Sequence, residues 1–109
     1  MAQVRKRESA KRDLIVQWVW YAGNASIQTA DRFLAAADLT LHILAAQPES
    51  GSRVFVTKPE LQGLRRFPVT DGFEKVRLFY FPLPDGVDLV RAVHASRDLE
   101  RLLDEGFFG

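Results

Sequence analysis

Residues 64–94, LRRFPVTDGFEKVRLFYFPLPDGVDLVRAVH, decide the fold class. Their β-branched and aromatic side chains fall into three runs, 64–69, 73–81 and 87–94, divided by Thr70-Asp71-Gly72 and by Pro82-Leu83-Pro84-Asp85-Gly86. Such residues suit a pleated, half-buried surface. Asp-Gly before a strand signals a hairpin, because both residues tolerate the positive φ of a tight turn. Three strands and two turns predict an antiparallel meander. The β character begins at Gly51, with Val54-Phe55-Val56 as a minor strand.

Upstream the period changes from two to that of a helix. Residues 9–22 read as a first helix, with Ser9 as N-cap, Ala10, Leu14, Ile15, Trp18 and Ala22 at helical spacing, and Gly23 as a stop. Asn24 or Ser26 caps a second, in which Ala30, Phe33, Leu34, Ala37, Leu41 and Leu44 follow the i, i+3, i+4, i+7 pattern until Pro48 ends it. Only residues 23–25 separate the two, which predicts an antiparallel helical hairpin. Downstream, Ser96 caps a short last helix with Leu99, Leu102 and Leu103 on its buried side and Gly106 at its end. The fold class is therefore α+β: a helical hairpin on a small antiparallel sheet, with a short C-terminal helix. No linker or repeat divides residues 1–109, so one domain is expected.

Composition sets the outer limits. A chain of 109 residues builds one modest core. With no cysteine there is no disulfide framework, thiolate nucleophile or Cys-based metal site, and a reducing compartment, the cytoplasm, is expected. His42 and His94 stand far apart in sequence, so no metal site is expected. Neither a Gly-x-Gly-x-x-Gly nor a phosphate-binding loop is present, no serine sits in a nucleophile elbow, and no cofactor is expected. No apolar run reaches membrane-spanning length, and no membrane partner is expected. The net charge of +1 projects little field, although Arg5, Lys6, Arg7, Lys11 and Arg12 cluster against Glu8 and Asp13 at a strand-to-helix junction.

Four stretches in order resemble the ParE/RelE superfamily of bacterial toxins, and ParE in particular. These are Ala10-Lys11-Arg12-Asp13-Leu14-Ile15 running into Trp18 and Tyr21, Ala30-Asp31-Arg32-Phe33-Leu34, Gly63-Leu64-Arg65-Arg66-Phe67-Pro68-Val69, and residues 85–99 with His94-Ala95-Ser96-Arg97-Asp98. The last is similar to the family's final strand and His-Gly-x-Arg-Asp turn, with Ala95 in place of the usual glycine. The resemblance spans about residues 4–103 and implies the same fold as the periodicity does. It implies a toxin of a type II toxin–antitoxin system, with roles in plasmid stabilisation or stress response, that inhibits DNA gyrase by binding rather than by catalysis. A ParD-like antitoxin with a ribbon-helix-helix half would neutralise it, and DNA would be met only through that antitoxin. RelE-like members are instead ribosome-dependent mRNA endonucleases, and a degenerate module that only binds its antitoxin is a third alternative. The nuclease alternative lacks a tyrosine beyond Tyr80.

Candidate residues follow from these alternatives, and no catalytic residue is assigned. Trp18, Trp20 and Tyr21 give the first helix more aromatic surface than one core uses, marking an antitoxin-binding face or core packing. Arg65, Arg77, Arg91, His94 and Arg97 are candidates for contact with the target, through phosphate or an acidic protein surface, with Arg66 and Lys75 on the same predicted sheet. His94 is either a group that titrates near neutral pH or a structural tie to the last helix. Phe107 and Phe108 form a tail of undecided role.

Overall fold

The computed structural model describes residues 2–95. Two helices, α1 (Glu8–Asn24) and α2 (Ile27–Ala46), pack on one sheet. Its strands are β1 (Gln3–Lys6), β2 (Ser52–Arg53), β3 (Arg65–Pro68), β4 (Val76–Leu83) and β5 (Gly86–His94), in the order β1-β5-β4-β3-β2. The meander β3-β4-β5 is antiparallel as expected, and β2 extends it. The sheet is nonetheless mixed, because β1 pairs in parallel with residues Gly86 to Leu89 of β5. The predicted C-terminal helix lies outside the described residues.

Several local expectations are corrected. Residues 54–56 are not a strand; β2 is two residues long and precedes them. Of the two Asp-Gly turns, only Asp71-Gly72 adopts positive φ at both residues, 60° and 95°. In the other hairpin Leu83 pairs with Gly86, so Pro84 and Asp85 form the loop and Gly86 starts the strand. A Cβ on Gly86 would run into the backbone of Gln3, so glycine is needed there for β1 to approach. The helix α1 passes through Gly23 and stops at Asn24. Ser26 caps α2, its Oγ accepting from Thr29 N at 3.0 Å.

The core has two sides because the sheet is covered on both. Against the helices lie Phe33, Leu41 and Leu44 of α2 with Val76, Leu78, Tyr80, Val87, Leu89 and Ala92. On the opposite face Leu61, Leu64, Phe79, Val90 and Val93 form a second cluster, over which Val54 and Val56 fold. Strict alternation in β5 would put residues 87, 89, 91 and 93 on one face. A bulge prevents it: Phe79 pairs with Arg91 but Tyr80 with Leu89, leaving Val90 as the extra residue. Ala92 thereby returns to the helix side, and Val93 joins the outer cluster. Leu34 and Ile15, expected on buried faces, are exposed, because α2 turns Ala36 and Ala37 inward and α1 buries only Ser9, Ala10 and Leu14.

Two polar clamps fix the elements. Tyr80 Oη donates to Pro48 O at 2.7 Å and accepts from Gly51 N at 2.8 Å, while Arg65 Nη1 donates to Glu49 O at 3.0 Å and Gly51 O at 2.7 Å. Together they tie the turn after α2 to the sheet. The second clamp joins α1 to β5 beyond the end of β1. Arg7 N donates to Leu89 O at 3.0 Å. Ser9, expected as a cap, instead sends its Oγ to Val90 O at 2.7 Å, and the N-cap is Arg7. One turn on, Asp13 Oδ2 accepts from Ala92 N at 2.9 Å and from Arg91 Nε at 2.6 Å, and Oδ1 accepts from Arg91 Nη2 at 3.1 Å.

Removing one member of such a buried pair strands the other charge. Asp13→Ala should cost about 3–5 kcal/mol in urea unfolding, and Asp13→Leu combined with Arg91→Met should cost less than that single change. For Tyr80, burial raises the phenol pKa, opposed by the hydrogen bond from Gly51 and the charge of Arg65. A raised folded value favours the protonated form, so its stabilisation is complete below the unfolded pKa and lost as pH rises through the folded one. Tyr80→Phe should cost about 1–3 kcal/mol at neutral pH and flatten the alkaline limb of the stability curve, measured by denaturant titration across pH.

Candidate functional site

The first turns of α1 seal the edge of β5, and the following turns leave a groove. It has a volume of about 290 Å³ and is lined by Asp13, Val16, Gln17 and Trp20 of α1 and by Arg91 to His94 of β5. Among the described residues no strand pairs with β5 past Leu89 on this side. Helical spacing explains the wall: Ser9 and Asp13 reach the strand, and Val16, Gln17 and Trp20 continue the same side as the helix runs on. The walls are apolar, Val16 and Trp20, over a floor of strand backbone and one ion pair.

Three ionisable groups line the groove, Asp13, Arg91 and His94. Asp13 accepts from three donors and Arg91 is buried against it, so both are engaged in holding α1 to β5. His94 sits at the rim, its ring 6.4 Å from that of Trp20.

The three aromatic residues singled out in α1 separate in the fold. Trp18 turns to α2, where its Nε1 donates to Asp31 Oδ1 at 3.0 Å. Tyr21 enters the helix-side core, 5.2 Å from both Phe33 and Phe73, and burial followed by the charge of Glu74 raises its pKa. Trp20 alone faces the groove, 51% exposed and edge-on to Tyr21 at 5.1 Å.

The five target-contact candidates are likewise not brought together. Arg65 belongs to the Tyr80 clamp and Arg91 to the Asp13 pair. Arg77 is exposed opposite Pro68 and Val93, with Arg66 one strand away opposite Phe79. His94 is at the groove, and Arg97 lies outside the described residues. The N-terminal basic cluster is partly neutralised, Arg7 by Asp88 at 2.9 Å and Lys11 by Glu8 at 3.3 Å. Among the described residues no group of three or more His, Cys, Asp or Glu side chains is placed to hold a metal, and no helix is long and apolar enough to cross a membrane.

Sequence reasoning did not single out Asp13, Val16 and Gln17 as lining residues. The available signal was an acidic residue at i+4 from Ser9, beside Ala10 and Leu14 on the buried side of α1.

Comparison with known proteins bears on this geometry. A search of curated proteins finds no match. Among solved structures, one described as a chromosomal ParDE TA system from P. aeruginosa is similar in fold, with a TM-score of 0.69 at 14% identity, covering 86% of this chain and 96% of that one. The sequence model described as ParE toxin of type II toxin-antitoxin system, parDE, matches residues 4–99. That match takes in both helices, all of the sheet but Gln3, and the groove between α1 and β5, and the chain belongs to the ParE toxin family.

Proposed function

We propose that this chain is the toxin of a type II pair that inhibits DNA gyrase by binding it, and that a ParD-like antitoxin with a ribbon-helix-helix half silences it. The antitoxin's segment lies in the α1–β5 groove. One observation carries this reading: the groove offers a half-exposed tryptophan beside the β5 edge beyond the groups held by Ser9 and Asp13, with which no strand among the described residues pairs, while its carboxylate and guanidinium hold each other. Tryptophan is the side chain most enriched at energetic centres of protein interfaces. A strand edge gives an extended partner main-chain hydrogen bonds that are insensitive to its sequence, and Val16 and Trp20 would select its side chains. The family membership and the likeness to a toxin–antitoxin structure support an antitoxin partner. Gyrase as target and the antitoxin's fold rest on the family resemblance.

Expression of the chain alone in bacteria tests the target. Growth arrest with filamentous cells, inhibited supercoiling by purified gyrase and intact translation are expected. Arrest with rapid loss of translation and cleaved mRNA would replace this reading with the ribonuclease, and normal growth would replace it with a module that only binds its antitoxin. For the groove, Trp20→Ala should weaken antitoxin binding by about thirtyfold, the effect of losing a hot-spot side chain worth roughly 2 kcal/mol. Isothermal titration calorimetry with the purified antitoxin measures it.

A further inference from the structure

Phe55 is 93% exposed, whereas the other exposed large apolar side chains among the described residues are 39–62% exposed. A phenyl ring left in water forgoes roughly 2 kcal/mol of burial, and a flexible loop would let it fold back. This loop is held. Val54 N donates to Leu64 O at 3.0 Å, and Gln62 Nε2 donates to Val56 O at 3.1 Å. Val54 and Val56, on either side, pack on the outer cluster of Leu61, Leu64 and Phe79. Alternation of an extended chain then directs Phe55 outward. The ring is thus presented on a braced backbone, with little entropy left to lose on binding.

The charge around it is lopsided. Residues 51–66 carry Arg53, Lys58, Arg65 and Arg66 against Glu60 alone, leaving eleven cations against thirteen carboxylates in the rest of the chain. Arg53 is exposed two positions from Phe55 and sits opposite Arg65 in the β2–β3 pair. A local excess of positive charge therefore surrounds the ring that is most exposed among the described residues. This combination fits a protein surface that offers an apolar pocket rimmed by carboxylates. Single-stranded nucleic acid is the poorer fit, because sequence-tolerant stacking uses a succession of aromatic platforms and Phe55 is the one aromatic residue of 51–66.

We infer that the loop bearing Arg53 and Phe55 is the toxin's contact with its protein target, separate from the α1–β5 groove that takes the antitoxin. The inference rests on the reading that the chain acts by binding gyrase, and it assigns that contact to a loop rather than to the arginines of β4 and β5.

The test uses the full chain, purified with its antitoxin and then separated, in binding and supercoiling assays with gyrase. Phe55→Ala should lower gyrase affinity about tenfold or more while leaving the melting temperature and the antitoxin affinity unchanged. Phe55→Trp should keep gyrase binding, and Arg53→Glu should weaken it and reduce its dependence on salt. Wild-type binding undiminished in Phe55→Ala would overturn this inference and leave the gyrase reading standing. Loss of antitoxin binding in the same variant would reassign the loop to the antitoxin. A wild-type chain that does not bind gyrase would remove both.

Discussion

A helix that packs beside a strand cannot satisfy that strand's open edge with its own backbone, since its peptide groups are already committed to the helical ladder. In this protein side chains of α1 solve the problem. Ser9 and Asp13, one turn apart, supply the donor and acceptor that a neighbouring strand would have given to Val90 and Ala92 respectively, and Asp13 neutralises Arg91 as it does so. The position of α1, and with it the hairpin and the wall of the groove, depends on this seam. A salt bridge so enclosed contributes little net energy compared with apolar packing, yet it is costly to break on one side only. Its main effect here is to fix which turn of α1 meets which residue of β5.

The bulge at Val90 is the second constraint, and it acts with the first. Without the extra residue, Arg91 would point where Ala92 now packs among the core side chains on the helix side. A guanidinium there would lose water without gaining a carboxylate. Shifting the register by one places Arg91 within reach of Asp13 and sends Val93 to the opposite face, where it meets Leu61 and Leu64. The same displacement lets a strand of β-branched residues serve two cores.

These commitments also determine what the surface offers. Two arginines that look like ligands in the sequence, Arg65 and Arg91, are consumed in holding backbone turns and a helix. What is left outward is spatially separated: an apolar groove containing Trp20 on one side of the molecule's chain path, and a braced, positively charged loop with Phe55 after β2.

The sequence by itself determined the elements. Period 3.6 in α2, the three strand runs of β3 to β5, Ser26 as a cap and Asp71-Gly72 as a turn are local preferences, and each is found in the structure, with the alternation of β5 broken by its bulge. Motif order carried the family, because fifteen contiguous residues around β5 are a long enough pattern to resemble only a few folds. What tertiary structure alone decided were the partners of side chains distant in sequence. The parallel addition of β1 and the conversion of Ser9 from cap to edge partner arise from contacts about eighty residues apart, and the bulge from the register in which β5 meets β4. The separation of Trp18, Trp20 and Tyr21 into tether, groove and core follows from the 100° step of a helix only once its neighbours are in place. A one-dimensional pattern records which residues are apolar or charged, but which of them remain available is settled by what packs against them.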